Sequence, residues 1–440
     1  MAASSRPARG MRDFLPDDVR RRSYVIGVVE DVYRRYGFQP LETPALENIE
    51  TLTGKYGEEG NKLIFKVLRR GEHEASGETD LALRYDLTVP LARVVAEHRG
   101  RLPKFFKRYQ IQPVWRADRP ARGRFREFYQ CDVDAIGSRS MLVEAELCAA
   151  VADVLVRLGF ADFSIRINHR QVLSGLLDAS GVASDLHGAA LVALDKLDKI
   201  GADGVRRELE SRGVDPRGAG DLLATFAGAV TLADVRARLA GRDEASAGVE
   251  ELQEIVRLSE VTAAGRHLRF DPSLARGLSY YTGTIMEIAV PDLQGSLGGG
   301  GRYDGLIGMF LGENIPACGF SLGLERILVV MTERGMFPPT VQGAAADVLV
   351  TVFDADGAQE ALRLARELRE GGIRAETYPE ADKIGKQFKY AAATGIPRVA
   401  VVGGDERARG VVTIKDMTSG EQSAVPRAEL AGWLAAHRPA

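Results

Sequence analysis

Apolar residues near the start of the chain recur at the spacing of an α-helix. Residues 17–37 begin with an acidic turn, carry valines on one face and end at Gly37, so they predict an amphipathic helix. The valines are Val25, Val28, Val29 and Val32. Two prolines within residues 38–48 forbid a helix interior and favour an extended edge segment. A second, strongly apolar helix is predicted over residues 141–159.

Residues 80 to 136 carry a different pattern, in which charged and apolar residues alternate. Alternation at period two predicts strands with one face on a core and the other facing a solvated cleft. The strand-like runs are LALRYDL, FKRYQIQPVWR and FREFYQCDVDAI. The polar residues expected to share the cleft are Arg84, Asp86, Arg116, Arg124, Gln130 and Asp134.

The rest of the chain divides into regions of distinct character. Ala, Leu and charged residues dominate residues 171–265, which predicts several helices and no strands. Strand-like sequence then returns, and a helix is predicted from about residue 321. Residues 333–346 have the Pro, Gly and small residues of a linker. Strands and helices alternate over residues 347–440, which predicts a compact α/β domain with a largely parallel sheet.

Composition and charge narrow the class of protein. The 440 residues are 45% hydrophobic and 27% charged, with a formal net charge of -3, which is an ordinary globular balance. This charge argues against a non-specific coating of nucleic acid but permits a local basic face. Cys131, Cys148 and Cys318 are scattered, so neither a disulfide framework nor a structural zinc site is expected. The sequence has no run of 18 apolar residues and no apolar stretch of the kind found in signal peptides. We therefore expect a cytoplasmic protein that does not span a membrane.

An arginine-rich turn separates two of the predicted strands. Its arginines are Arg116, Arg119, Arg122, Arg124 and Arg126. A proline and a glycine interrupt them, so a hairpin loop with high positive charge is predicted. The planar guanidinium suits bidentate contact with phosphate or carboxylate. A ligand role is favoured for Arg116 at the end of a strand, whereas a solvated surface role is an equal alternative for Arg119, Arg122 and Arg126.

Three further stretches carry candidate chemistry. The four glycines of LGGGGRYDG, residues 297–305, permit close approach of a ligand or another backbone. Their spacing fits neither a Walker loop nor a dinucleotide fingerprint, and a flexible turn is the alternative. FSLGLERIL places Arg326 near a helix start, where anionic groups bind. LARGLSYYTGTIMEI contains two adjacent tyrosines, which by themselves favour one core and one surface residue.

In this order the motifs resemble those of class II aminoacyl-tRNA synthetases, specifically the histidyl-tRNA synthetase family, over nearly the whole chain. The resemblance rests on RGMRDFLP, LRYDLTVPLAR, the arginine-rich hairpin ending in FREFYQCDVDAIG, RGLSYYTGTIMEI, GGGGRYDGLI and GFSLGLERI. LRYDLTVP and FYQCDVD resemble the eukaryotic-type branch of the family.

The resemblance implies a fold and its division into domains. An α+β catalytic domain on a mixed, mainly antiparallel sheet is expected from residues 1–170 and 266–332. Residues 171–265 are then a helical insertion, residues 333–346 a linker and residues 347–440 a C-terminal α/β anticodon-binding domain. A homodimer is also implied.

The resemblance further implies a two-step reaction. Histidine and ATP form histidyl-adenylate and pyrophosphate, and the histidyl group then passes to the 3′-terminal adenosine of a tRNA. Magnesium is expected with ATP, although no carboxylate cluster in the sequence indicates a dedicated metal site. Glu287 and Glu325 are candidate ligands for it.

Roles are implied for residues that match the family motifs. The catalytic arginines are Arg116 on the α-phosphate, Arg326 on the γ-phosphate and Arg276 against the histidine carboxylate. Arg124 is a further ATP-binding residue. The residues implied to bind histidine are Asp86, Thr88, Gln130, Asp134, Tyr280, Tyr281 and Tyr303. Asp134 is expected to select the imidazole N–H, because a buried acceptor left unpaired penalises analogues without that group. The glycines are expected to let their strand pass close beneath the substrate.

Contacts with tRNA are expected in two places. Arg119 and Arg122 of the hairpin are one. Lys383, Lys386 and Lys389 are the other, at helical spacing beside Phe388 and Tyr390, a combination suited to unpaired bases. A solvated helix face is nearly as good an interpretation for any one lysine.

Two rival functions are weighed against this one. A non-catalytic paralogue that regulates ATP phosphoribosyltransferase shares the catalytic fold but lacks the anticodon-binding domain and usually the motif arginines, and this chain has both. A histidine-sensing domain of a larger kinase is disfavoured because no kinase signature is present. The chain departs from the family at Ser279, where an acidic residue is usual, so the hydrogen bonding of that loop is in question.

Overall fold

A computed structural model of the chain describes residues 5–71, 76–226, 228, 230–275, 280–341 and 343–437. The chain forms two compact units, Met1–Phe337 and Pro338–Ala440, and the boundary between them falls inside the predicted linker. No helix within the described ranges has the length and apolar character needed to cross a membrane.

The first unit is built around strands that come from widely separated parts of the chain. They are β1 (Gln39–Pro40), β2 (Leu46–Asn48), β3 (Lys66–Leu68), β4 (Thr79–Leu83), β5 (Phe106–Trp115), β6 (Glu127–Ile136), β7 (Ser164–His169), β8 (Leu268–Phe270), β9 (Thr284–Ala289), β10 (Ser296–Arg302) and β11 (Ala317–Gly323).

Helices of the first unit connect and cover these strands. They are α1 (Pro16–Arg35), α2 (Ile49–Leu52), α3 (Gly57–Lys62), α4 (Thr88–His98), α5 (Leu142–Arg157), α6 (Arg170–Ala179), α7 (His187–Leu194), α8 (Leu197–Ser211), α9 (Pro216–Thr225), α10 (Leu232–Arg238), α11 (Asp243–Ser259), α12 (Gly308–Leu311) and α13 (Leu324–Glu333). The predicted helical segment thus carries α6 to α11.

Eight of these strands form one sheet in the order β1-β5-β6-β11-β10-β9-β7-β8. The pairs from β5 to β7 are antiparallel, and only the described edge pairs β1–β5 and β7–β8 are parallel. The predicted mixed, mainly antiparallel sheet is therefore confirmed. A smaller sheet, β2-β4-β3, stands beside it.

The first helix illustrates how the sequence sets its own bounds. Pro16 occupies the first helical position, where its missing N–H costs nothing, and acidic residues follow in the first turn. Val25, Val29 and Val32 are buried, so the predicted apolar face packs on the core. The helix ends at Arg35, two residues before the predicted stop at Gly37.

The strand predicted over residues 81–87 is wrong in its second half. β4 ends at Leu83, and α4 begins at Thr88. The carboxylate of Asp86 accepts a hydrogen bond from the backbone N–H of Val89 at 3.0 Å, which satisfies one of the free donors of the helix start. That local bond turns the chain out of the extended conformation before the helix.

The second unit has a five-stranded sheet of its own. Its elements are β12 (Val348–Val350), α14 (Ala355–Glu370), β13 (Ala375–Thr377), α15 (Ile384–Thr394), β14 (Arg398–Val401), α16 (Gly404–Arg409), β15 (Val411–Asp416), β16 (Gln422–Pro426) and α17 (Leu430–Ala436). The strand order is β13-β12-β14-β15-β16. The largely parallel sheet expected here is wrong for β14–β15 and β15–β16, which pair antiparallel. Only five residues join β15 to β16, too few for the crossover that parallel strands need.

Candidate active site

A cavity of about 1120 Å³ lies in the first unit, with β9 and β10 along one wall. Other walls come from the β5–β6 hairpin, the start of α13 and the helical segment. The volume is slightly larger than that of most small-molecule sites in proteins. Side chains far apart in sequence therefore face one space.

Neighbouring atoms leave no room for side chains at the glycines of β10. A Cβ on Gly300 would overlap the carbonyl oxygen of Gly319, and one on Gly301 would meet the Tyr281 ring at 3.0 Å. Gly298, Gly299 and Gly300 also line the cavity. The glycines accordingly lie in a regular strand rather than in a flexible turn, and they leave its cavity face without side chains.

Arg116 follows β5 and reaches the cavity through contacts that fix its plane. Its Nε donates to the Tyr85 carbonyl oxygen at 3.0 Å and an Nη donates to Gln130 Oε1 at 3.3 Å. The guanidinium carbon lies 4.3 Å from the centroid of the Tyr85 ring, a cation–π distance. One edge of the guanidinium is thereby oriented by protein, and the side chain lines the cavity.

Arg326 enters the same cavity from the first turn of α13. Its Nη1 donates to the Ser296 carbonyl oxygen. A side chain on Gly123 would meet Arg326 Cγ at 3.1 Å, so the hairpin glycine makes room for the arginine to pass. Arg124 of the hairpin lines the cavity as well. Three cations, Arg116, Arg124 and Arg326, therefore converge as the sequence predicted.

Asp86 is buried at the cavity margin with 1% of its surface exposed. Tyr56 and Tyr280 each donate a hydroxyl hydrogen bond to it at 3.0 Å. Desolvation raises the pKa of Asp86, and these hydrogen bonds and nearby Arg116 oppose that rise. Thr88, at the start of α4, lines the cavity beside it. Tyr56 was not predicted, because it comes from α2–α3 sequence without a motif.

A row of polar residues on β6 continues from the cavity into the core. Gln130, Asp132 and Asp134 alternate on one face, and Gln130 donates to Ser321 Oγ at 2.8 Å and to Asp132 Oδ1 at 3.2 Å. Arg108 has 0% exposure and pairs with Asp134 at 2.8 Å. Tyr303 donates to the other oxygen of Asp134 at 2.5 Å.

Arg108 is thus a buried cation close to two buried carboxylates, those of Asp132 and Asp134. Desolvation raises the pKa of Asp132 to about 7 and also raises the pKa of Asp134, while Arg108 opposes both shifts. Asp132 was not predicted, although the alternation that indicates Gln130 and Asp134 also includes it.

Comparisons with known proteins identify the family to which the chain belongs. The family model described as histidyl-tRNA synthetase matches residues 10–327, and an anticodon binding domain model matches residues 347–437. The chain is 45% identical to a histidine–tRNA ligase of Gloeobacter violaceus, covering 98% of each chain. It is 42% identical to one from Christiangramia forsetii, covering 99% of this chain and 100% of that one. The chain belongs to the histidyl-tRNA synthetase family.

Solved structures are similar over the same length. A histidyl-tRNA synthetase from Nostoc sp. PCC 7120 superposes with a TM-score of 0.81 at 31% identity, covering 99% of this chain and 100% of that one. A Bacillus halodurans structure, titled as an ATP phosphoribosyltransferase regulatory subunit/histidyl-tRNA synthetase, shares the fold at 22% identity and a TM-score of 0.71, covering 88% of this chain and 97% of that one.

Several residues predicted from the synthetase motifs lie elsewhere than expected. Arg84 is wrong as a cleft residue: it is 2% exposed and donates to the carbonyl oxygens of Thr43 and Pro113 at 2.6 and 2.8 Å. It holds the turn after β4 instead. Asp134 and Tyr303 are buried and do not line the cavity as it stands, because they bond each other and Arg108. Tyr280 and Tyr281 do line it.

Some residues predicted to contact tRNA are exposed, and others are engaged within the protein. Arg119 is exposed, whereas Arg122 is paired with Glu333 of α13 and donates to the Asp292 carbonyl oxygen at 3.1 Å. Lys383, Lys386 and Lys389 are exposed near or on α15. Phe388 and Tyr390, expected to stack on bases, instead pack partly buried against the unit's core. Arg276 and Ser279 lie outside the described residues.

The carboxylates considered as magnesium ligands are already engaged. Glu325 accepts from Arg22 at 2.8 Å and, through its second oxygen, from the Tyr129 backbone N–H at 2.9 Å. Glu287 lines the cavity and pairs with Arg166 at 2.7 Å. The donor set therefore does not fit a metal at Glu325. No cluster of three or more His, Cys, Asp or Glu residues suited to a metal occurs in the described part of the chain.

Proposed function

We propose that the chain is a histidine–tRNA ligase, an aminoacyl-tRNA synthetase that uses ATP. The observation that carries the proposal is one cavity lined by Arg116, Arg124 and Arg326 together with the polar group Asp86, Thr88 and Gln130. The first three residues suit a triphosphate. The other three suit an ammonium and a carboxylate held beside it.

In the first step a carboxylate oxygen of histidine attacks the α-phosphorus of ATP. A new P–O bond forms, the bond to the β-phosphate bridging oxygen breaks, and pyrophosphate leaves. No enzyme nucleophile is needed, because alignment and stabilisation of negative charge suffice. Arg116 would bind the α-phosphate, since Tyr85 and Gln130 fix its orientation. Arg326 and Arg124 would hold the rest of the triphosphate, and Arg276 would face the carboxylate.

Histidine itself would be held by the groups beneath the arginines. Asp86 would accept from the α-ammonium with Thr88 and Gln130 beside it, and Tyr280 would keep Asp86 in place. Tyr281 would line the imidazole pocket, and Asp134 would accept an imidazole N–H with Tyr303 as its support. An imidazole analogue without that N–H would lose this hydrogen bond, so we expect it to bind more weakly.

In the second step a ribose hydroxyl of the terminal adenosine attacks the histidyl carbonyl carbon, and AMP leaves. The match of residues 347–437 to an anticodon binding domain supports a tRNA partner. Arg119 and the exposed lysines Lys383, Lys386 and Lys389 would contact tRNA phosphates. Arg122 would do so only after release from Glu333.

Histidine-dependent ATP–pyrophosphate exchange by the purified chain tests this proposal. We expect exchange with histidine and none with other amino acids, followed by charging of tRNA with histidine alone. The rival function, a non-catalytic regulator of ATP phosphoribosyltransferase, predicts no exchange under the same conditions. The motif arginines in the cavity and the second unit favour the ligase.

We infer magnesium bound with ATP, a homodimer and a cytoplasmic site of action. The catalytic domain is assigned to residues 1–170 and 266–332, the helical insertion to 171–265, the linker to 333–346 and the anticodon-binding domain to 347–440. Membership of the eukaryotic-type branch stays a prediction, and the relatives named above are bacterial.

A further inference from the structure

Arg170 is a cation in the cavity wall that the reaction described so far does not use. It is the first residue of α6, directly after β7, and its backbone N–H donates to the Gly283 carbonyl oxygen at 3.0 Å. Its side chain is partly buried and lines the cavity. This position joins the sheet to the helical segment.

The Arg170 side chain has neither a hydrogen-bond partner nor an ion-pair partner among the residues described. Desolvation alone lowers the pKa of its guanidinium. The two other cations that the helical segment contributes to the cavity differ, since Lys196 and Arg212 share Glu208 at 2.6 and 2.7 Å. A partly buried guanidinium without a counterion is costly unless a ligand supplies one.

The sheet places Arg170 far from the arginines assigned to ATP. In the sheet order, β11, which leads to Arg326, lies three strand spacings from β7, and β5, which leads to Arg116, lies five. These separations are roughly 14 and 24 Å across the sheet. The pairing also puts these arginines and Arg170 at opposite strand ends, because Gln130 lies opposite Gly323 at one end and His169 lies opposite Thr284 at the other. Arg116 and Arg326 flank the first end. Arg170 follows the second, so it stands at the diagonally opposite corner of the cavity.

Chemistry excludes the anions of the first step from that corner. The histidine carboxylate must lie against the α-phosphate to attack it, so both belong beside Arg116. The β- and γ-phosphates belong beside Arg124 and Arg326. Among the reactants, the phosphodiesters near the tRNA 3′ end are the anions left over. Gly188, Leu191 and Lys196 of the helical segment, which begins just after Arg170, line the same cavity.

We propose that Arg170 binds a backbone phosphate near the 3′ end of the tRNA and acts in the transfer step alone. This inference rests on the proposed ligase function and deepens it. A guanidinium suits bidentate contact with phosphate, and its partial burial strengthens the bond.

Arg170→Gln and Arg170→Lys test the inference, with Arg257→Gln as the control. Arg257 is an arginine of the helical segment that is 65% exposed and paired with Glu254. Three quantities are measured for each variant: the exchange kinetics without tRNA, single-turnover transfer from preformed histidyl-adenylate, and tRNA affinity across a salt series.

For Arg170→Gln we expect exchange within about 2-fold of wild type and tRNA affinity lowered about 10-fold or more, as for loss of a hydrogen bond to a charged group. The negative slope of log affinity against log salt concentration should become shallower by about 0.7 to 1, as for one lost phosphate contact. Arg170→Lys should keep the wild-type slope with intermediate affinity. Arg257→Gln should match wild type.

Other outcomes overturn the inference. A raised KM for histidine or ATP in exchange would assign Arg170 to the first step, and unchanged tRNA affinity and transfer would leave it without a ligand role. If Arg170→Gln does not fold, a lowered salt slope in Arg170→Lys would still contradict a charge contact. Absence of exchange in the wild-type protein would instead refute the ligase function itself, so the two failures are distinguishable.

Discussion

Charged residues of the cavity and charged residues of α15 are placed in opposite ways. Asp86 and Asp132 are 1% and 2% exposed and are held by residues distant in sequence, Tyr56 and Tyr280 for Asp86 and Arg108 for Asp132. Lys386 is 67% exposed and pairs with Asp382, four residues away. The cavity holds its charges by tertiary structure, whereas α15 presents them by helical spacing.

The difference indicates what each region can do. A buried charge is costly unless its partners are in place, so the cavity is organised before a substrate arrives. Exposed lysines cost little to place and gain little from any single contact, so they act through their summed charge. Substitutions in the cavity and in the buried polar row of β6 that continues from it should therefore have large and specific effects, and substitutions on α15 small and salt-dependent ones.

The largest effect is expected for Asp134→Ala. Removing this carboxylate leaves Arg108 buried with 0% exposure and without its close counterion, so the free energy of unfolding should fall by about 3–5 kcal/mol. Denaturant unfolding measures it. Glu146→Ala is the matched control, because the Lys107–Glu146 pair is exposed by 29% and 41% and should cost at most about 1 kcal/mol. Equal losses in the two variants would abolish the contrast between buried and exposed charge.

Arg116→Ala should follow in size. Loss of an oriented guanidinium at the α-phosphate should slow ATP–pyrophosphate exchange by about 10²–10³-fold with the fold retained. Arg119→Ala, in the same hairpin but exposed, should leave exchange unchanged because tRNA is absent from that assay. Exchange near the wild-type rate in Arg116→Ala would remove the arginine from the reaction.

Asp132 should make stability depend on pH. In the unfolded chain it ionises near pH 4, whereas burial raises its native pKa to about 7. The native state therefore holds an extra proton between about pH 4 and about pH 7, and unfolding free energy falls as pH rises through that window. Asp132→Asn should remove this fall, gaining up to about 1.4 kcal/mol per pH unit over wild type. Denaturant titrations at about pH 5 and about pH 8 measure the gain.

An exposed carboxylate provides the comparison for that experiment. Asp243→Asn, in the first turn of α11, should follow the wild-type pH dependence. Parallel curves for wild type and Asp132→Asn would show that the buried pair is fully ionised throughout.

The smallest effect is expected on α15. Lys389→Ala should weaken tRNA binding by no more than about 5-fold, the range of an exposed ionic contact, and more at low salt than at high salt. Exchange should be unaffected. Arg366→Ala, on α14 and paired with Glu370, is the control. Weakening far beyond that range by one lysine would mean that α15 is as organised as the cavity.

Sequence patterns predicted the arginines that line the cavity. They did not predict which strand residues are buried, because that depends on which face of the strand packs on the core. Arg84 and Arg108 both sit in alternating stretches, yet both are buried and bonded to protein. Period two identifies two faces and does not say which one meets the core. Tyr56 and Arg170 were missed because only the folded sheet brings them to the cavity. The long motifs succeeded because their order along the chain carries information that a single spacing lacks.

The helical segment has a consequence for how the protein can vary. It leaves the sheet after β7 and returns at β8, and these strands lie side by side and parallel, with Ile165 opposite Leu268. A connection between parallel neighbours must be at least about a dozen residues long, so it cannot be removed. Beyond that minimum, doubling its length adds only about 0.6 kcal/mol of closure entropy. The length of the helical segment beyond the cavity wall can therefore vary while the strands on either side keep their length.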